Sequence, residues 1–280
     1  MKKNFIVRDF DLAGTLDSGQ AFRWRQVDDA WEGVIGERWV RLHQQGDRII
    51  AEVPERLRDW SWLKTYLGLE DDLSAIVKTF PDDEAMKESV AACRGLRLLR
   101  QPAWECLASF ICSSSKQIVQ IRQIVANLCE RYGTTIHSGS GAGWRTFPTP
   151  ERLAECSERE LRECKMGYRA PYVLGSARLV AAGQVKLAAL GDLDCRRARK
   201  ELMSLPGVGR KVADCALLFA YGFQEAFPID VWIGRGLREL YFPRRKPTRK
   251  RLEKFTASYF GPYAGYAQQY LFHYVRTKRT

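Results

Sequence analysis

The stretch Leu205-Pro-Gly-Val-Gly-Arg-Lys-Val-Ala-Asp-Cys215 decides how the rest of the chain is read. Pro206 and Gly207 stop one helix, and Gly209 lets the backbone turn and approach another molecule closely. A second helix starts at once, with Val212, Ala216 and Phe219 on its buried face. Two helices joined by a glycine hairpin leave unpaired backbone N–H groups at the start of the second. Such groups, aided by the helix dipole, bind anions. Gly207, Val208, Gly209 and Arg210 are therefore candidates for gripping a phosphate; the plain alternative is a tight turn. Asp230 follows Lys211 by 19 residues, in Phe227-Pro-Ile-Asp-Val231, just before the next helix. An amine at a helix start attacks an electrophilic carbon when it is unprotonated, and a fixed carboxylate opposite stabilises the positive charge that develops. The simpler roles are an N-cap for Asp230, and a phosphate contact or an ion pair with Asp214 for Lys211.

Outward from the hairpin, charge supports an anionic partner. The 280 residues hold 45 Lys+Arg and 33 Asp+Glu, a net of +12. Residues 1–100 carry 16 basic and 18 acidic residues, whereas 101–280 carry 29 and 15, so the two parts stand at −2 and +14. A basic excess of this kind points to nucleic acid, and less often to an anionic membrane surface. No apolar run approaches the ~18–20 residues of a membrane span. Arg8, Asp9 and Asp11 interrupt the start before a secretory signal forms. The expectation is a soluble monomer without membrane attachment, cytoplasmic or nucleoid-associated in a prokaryote and nuclear in a eukaryote. The run Pro243–Arg251, with six basic residues in nine, reads as a phosphate-contacting helix start rather than a nuclear signal.

Eight cysteines at irregular spacing, none in a CxxC pair, and three histidines argue against zinc, an iron–sulfur cluster or a disulfide framework. Most of these cysteines read as small buried hydrophobes. No cofactor is expected and no side-chain metal site. The hairpin backbone at Gly207 and Gly209 remains as a candidate cation position.

The opening third reads as strands. Phe22–Val27, Trp31–Ile35, Trp39–His43 and Arg48–Val53 are separated by turn residues, which predicts an antiparallel meander. From about Pro54 the period moves towards 3.6. After Pro102 nearly all is helix, with starts at Thr149-Pro150 and helices predicted near 158–164, 170–182, 195–204, 210–221, 231–241, 249–259 and 264–276. Segment 138–148 reads as a loop. The fold class is α+β: a sheet domain over 1–100 with flanking helices, then a helical domain over 101–280.

With the lysine and aspartate in place, LPGVGRKVADC resembles the helix-hairpin-helix DNA glycosylase superfamily. Four further blocks resemble its 8-oxoguanine DNA glycosylase branch: Ser18-Gly-Gln-Ala-Phe-Arg-Trp24, Glu105–Ser114, Met166-Gly-Tyr-Arg169 and Gly261–Phe272. The resemblance implies that Lys211 is the nucleophile at the sugar C1′ and that Asp230 sits across the active site. It also implies that the chain excises 8-oxoguanine from duplex DNA and nicks the strand. A flipped base would lie between Cys215 and Phe272, with Gln268 on its Watson–Crick edge. Lys211 and Cys215 share a helix face, as do Gln268 and Phe272. The Gly19 carbonyl would read the N7–H that 8-oxoguanine has and guanine lacks. Tyr168 would fill the gap left by the flipped nucleotide, and Arg169 would donate to the orphan cytosine. Plain core packing for Cys215 and Phe272, a chain turn at Gly19, and a buried Tyr168 with a surface Arg169 are the simpler readings. Two positions depart from the family pattern. Ser115-Lys116-Gln117 stands where many members carry asparagines, and Trp232 where many carry a histidine. The rivals are an alkylpurine glycosylase, which activates water without a lysine, and a non-catalytic DNA-binding module, which would not need Asp230, Gln268 and Phe272 together.

Overall fold

A computed structural model describes residues 1–139, 141, 143–244 and 246–278. Ser140 and Ala142 of the expected loop and Arg245 of the basic run lie outside the described residues. The chain begins with β1 (Lys2–Ile6) and α1 (Leu12–Asp17), then runs through β2 (Arg25–Val27), β3 (Ala30–Ile35), β4 (Arg38–Gln45) and β5 (Arg48–Glu52). These strands form a five-stranded antiparallel sheet in the order β1-β5-β4-β3-β2. The expected meander is present, with one extra strand at the edge beside β5.

Three short helices follow: α2 (Ser61–Leu67), α3 (Leu73–Val77) and α4 (Glu84–Ala92). Leu63, Tyr66 and Leu67 of α2 cover the sheet face made by Val40, Leu42, Ile49 and Ala51. This apolar face excludes water and holds α2 against the sheet. The helical part is built around α5 (Ala103–Cys112), whose residues from Cys106 to Cys112 are all buried. Next come α6 (Ile118–Tyr132), the strand pair β6 (Thr135–Ile136) and β7 (Trp144–Arg145), and α7 (Pro150–Ala154). Thr149 caps α7 by accepting from the Arg152 N–H at 3.2 Å, as its Thr-Pro start predicts. The chain continues through α8 (Glu158–Leu161), α9 (Ala170–Ala181), α10 (Cys195–Leu202) and α11 (Arg210–Ala216), which widens into a π turn over Leu217–Tyr221. It ends with α12 (Val231–Tyr241), α13 (Arg249–Tyr259) and α14 (Ala264–Thr277).

Three expectations are corrected. Phe22, Arg23 and Trp24 do not belong to β2. Phe22 packs into the helical core, Trp24 into the sheet core, and Arg23 pairs with Glu105 of α5 at 3.2 Å. Their alternation reflects a segment that stitches two cores rather than a strand. The predicted loop 138–148 contains β7, whose Trp144 packs on Trp39 and Val34 of the sheet. β1 and α1 were not anticipated. Only Phe5 of β1 is buried, so no alternation shows in its sequence.

All eight cysteines are buried and unpaired. No helix among the described residues is long and apolar enough to cross a membrane. Among the same residues, no three His, Cys, Asp or Glu side chains gather to hold a metal.

Candidate active site

The N-terminal turn after α1, the C-terminal end of α5, the start of α11, the start of α12 and the middle of α14 converge on one cavity of about 640 Å³. Lys211, Asp230, Gly19, Cys215, Gln268 and Phe272 all line it, although they come from both ends of the chain. The volume is within the range for a small-molecule or base-sized guest.

Lys211 lies at the second residue of α11 and points into the cavity. Its Nζ donates to Ser113 Oγ at 2.8 Å and sits 4.9 Å from the centre of the Phe110 ring. Ser113 in turn donates to the Phe110 carbonyl at 2.7 Å, so its remaining lone pairs face the lysine. The sequence reading assigned no role to Ser113; its position just after the buried helix α5, as its C-cap, was the available signal. The ion pair of Lys211 with Asp214 is not formed. Asp214 instead bonds Arg199 at 2.6 Å and lies 3.6 Å from Arg210.

Asp230 is the N-cap of α12, with its Oδ1 accepting from the Ile233 N–H at 2.8 Å. Asp230 therefore caps α12 and lines the cavity at the same time. Burial raises the Asp230 carboxyl above the ordinary carboxylate range, against the lowering effect of the Ile233 N–H and the Lys211 charge. Burial likewise pushes the Cys215 thiol up to about 12, against the nearby Lys211 charge. Cys215 is thus a neutral, polarizable wall at physiological pH rather than a competing nucleophile.

Gln268 is 4% exposed, and its Oε1 is buried with no hydrogen-bond partner among the described residues. A buried acceptor left unpaired is costly unless a guest supplies a donor. Phe272 stands one turn further along α14 with the Arg276 guanidinium 5.8 Å from its ring centre. Gly19 has φ +82°, and a Cβ there would lie 2.6 Å from Ile118 Cδ1 and 3.4 Å from Phe272 Cε1. Conformation and space both select glycine.

Gly207, Val208, Gly209, Arg210, Tyr168 and Arg169 do not line the cavity; Gly207, Gly209, Arg210 and Tyr168 are exposed, whereas Val208 and Arg169 are buried. Gly207 has φ +74° and packs against Tyr172, whose ring meets Tyr168 edge-on at 6.4 Å. The hairpin and the exposed Tyr168 thus share one edge. Gly209 caps α11 with no side-chain bond to the first turn. Arg210 is drawn partly aside, 3.5 Å from Glu253 as well as close to Asp214. The outward guanidinium expected at Arg169 is corrected: the residue is 3% exposed and bonds the Ser114 carbonyl and the Tyr168 hydroxyl. Ser114's carbonyl is freed at the end of α5, which draws the guanidinium inward. Of the two departures, Trp232 lines the cavity, and so do Lys116 and Gln117 of Ser115-Lys116-Gln117.

A hairpin-borne lysine facing a capped carboxylate across a base-sized cavity, on a basic α+β chain, defines a DNA base-excision repair protein. Residues 108–262 match the model for the HhH-GPD superfamily of base excision DNA repair proteins, and residues 4–107 match that for the N-terminal domain of 8-oxoguanine DNA glycosylase. The chain belongs to the HhH-GPD superfamily, in the branch that carries this N-terminal domain. It is similar to N-glycosylase/DNA lyase OGG1 of Arabidopsis thaliana, with 32% identity over 94% of this chain and 77% of the relative. The solved structure of MBOgg1 with a low-affinity DNA ligand has a TM-score of 0.95 at 34% identity, over 100% of this chain and 96% of that one. The Clostridium acetobutylicum 8-oxoguanine glycosylase/lyase was solved with double-stranded DNA containing cytosine opposite 8-oxoG. It has a TM-score of 0.91 at 30% identity, over 100% of this chain and 99% of that one.

Proposed function

We propose that the chain is a bifunctional DNA glycosylase and AP lyase that removes 8-oxoguanine from duplex DNA, acting as a monomer. The supporting observation is the unpartnered buried acceptor of Gln268 in the same cavity as Lys211 and Asp230. The damaged nucleotide leaves the stack and enters the cavity, and its base lies between Cys215 Sγ and the Phe272 ring. Gln268 Oε1 accepts from the Watson–Crick edge. The N7–H of 8-oxoguanine donates to the Gly19 carbonyl, where guanine would present a second acceptor.

Lys211 attacks C1′ as the free amine while held by Ser113. The N-glycosidic bond breaks with its electron pair leaving on the base, and the Asp230 carboxylate stabilises the positive charge at C1′ and the ring oxygen. Opening of the sugar ring converts the Lys211–C1′ adduct into an imine, with the departing nitrogen proton and ring oxygen balancing the step. Loss of a C2′ proton then expels the 3′ phosphate, which nicks the strand. The hairpin amides and Tyr168 hold the duplex around the gap.

Incubation with a duplex carrying one 8-oxoguanine, in borohydride, tests this chemistry. A covalent protein–DNA adduct is expected, and it is lost in Lys211→Gln. Excision that persists in that variant would overturn the lysine route in favour of water activation. Absence of both adduct and excision in the unaltered protein would leave a binding module.

A further inference from the structure

Three carbonyls follow one another in the turn Ser18-Gly19-Gln20, and the outer two are held by glutamine amides from elsewhere in the fold. The Ser18 carbonyl accepts from Gln269 Nε2 of α14 at 3.2 Å, and the Gln20 carbonyl accepts from Gln101 Nε2 at 2.7 Å. Among the described residues, the Gly19 carbonyl between them takes no hydrogen bond from a backbone N–H. Both glutamines are themselves fixed. Gln269 is 2% exposed, and the Gln101 N–H donates to the Phe219 carbonyl, in the π turn that continues the Lys211 helix, at 2.7 Å. The Gln20 side chain adds a local brace by donating to the Thr15 and Arg97 carbonyls at 3.0 and 2.8 Å.

This arrangement solves a physical problem. A glycine sets no barrier of its own against rotation of the peptide plane that carries its carbonyl. Fixing the planes before and after it does. With the flanking planes held, the backbone on either side cannot shift or twist to swing the Gly19 carbonyl away from the cavity unless one outer hydrogen bond breaks, and these bonds are buried, where an unmade bond costs most. We infer that Gln269 and Gln101 are positioning residues that keep the Gly19 carbonyl aimed as the acceptor that separates an oxidised purine from guanine. Neither residue needs to touch the base, since each acts through the turn. The inference rests on the 8-oxoguanine reading of the cavity.

The test uses Gln269→Met and Gln101→Met, which keep side-chain length and remove the donor. In a Lys211→Gln background, which binds without cutting, the affinity ratio of an 8-oxoguanine duplex over a guanine duplex is measured. The expected result is a fall of about tenfold in that ratio for either variant, from weaker lesion binding alone. With Lys211 present, cleavage of a duplex that already carries an abasic site has no base to read and stays within about twofold of the unaltered protein. An unchanged ratio in both variants overturns the inference while leaving the excision reading intact. A parallel fall in abasic-site cleavage also overturns it, because the glutamines would then be general supports. A Lys211→Gln protein with both glutamines in place that shows no lesion preference would remove the 8-oxoguanine reading, and the inference with it.

Discussion

Asp230 combines two demands that pull in opposite directions. As N-cap it must present an oxygen to the Ile233 N–H, and as a charge stabiliser it must be ionised in a place that burial makes unfavourable for a charge. Its folded-state pKa lies above the ordinary 3.8, so the protonated form stabilises the fold below that value and the contribution is lost as pH rises through the raised one. At pH 7 the ionised carboxylate therefore costs stability. Asp230→Asn keeps an acceptor for the cap and removes the charge. The variant is expected to lose on the order of 100-fold or more in excision rate. Its Tm at pH 7 should equal or exceed that of the unaltered protein, with the gap closing as pH falls into the carboxylate range. Thermal melts at several pH values beside single-turnover excision check both halves, and a Tm well below the unaltered protein at pH 7 would contradict the account. At this scale the sequence was most informative where chemistry dictates residue type and spacing, as for Lys211 and Asp230. It was least informative where a neighbour decides orientation. Arg169 turns inward because the Ser114 carbonyl, brought near only by the fold, is the better partner.

Among the elements, the hairpin between α10 and α11 joins backbone grip to catalysis on the proposed reading, since the same helix start carries Gly209 and Lys211. Gly207 is the point where this element has no freedom to change: its φ is +74° and an added Cβ would lie 2.6 Å from the Tyr172 Cβ. Left-handed backbone costs a non-glycine residue about 1–2 kcal/mol before the clash is counted. Gly207→Ala should lower Tm and weaken undamaged and 8-oxoguanine duplexes by similar factors, because phosphate contacts carry no base information. Fluorescence anisotropy with both duplexes tests it, and a loss confined to the lesion duplex would be the contrary result. Helices with strong caps and a clear apolar stripe were legible from sequence: α12 and α13 fall on the expected 231–241 and 249–259. β1, α1 and β7 were not. A mostly exposed edge strand lacks a period, six residues are too few to display one, and β7 is recognisable only through the partner strand across the turn.

The whole molecule divides its charge unevenly, with −2 over residues 1–100 and +14 over 101–280. Part of this excess is internally engaged, as in the Arg199–Asp214 and Arg210–Glu253 pairs. What remains attracts the duplex without regard to sequence and releases counterions when it binds. Affinity for any duplex should fall by about 100-fold or more between roughly 50 and 200 mM salt, while the preference for the lesion stays nearly constant. Titrations of both duplexes across that range measure the two slopes; a lesion preference that collapses with salt would mean that ion pairs, rather than the cavity, do the selecting.

The hydrogen bond from Gln269 to Ser18 joins positions 251 residues apart. It makes this part of the cavity a product of chain closure, since its two sides come from segments far apart in sequence. On the ribosome, Lys211 and the glycine hairpin emerge before α14, the helix that on the proposed reading recognises the base. In the proposed reading, discrimination is therefore gained after the reactive group is in place and, by the same topology, is lost first if α14 frays from the body.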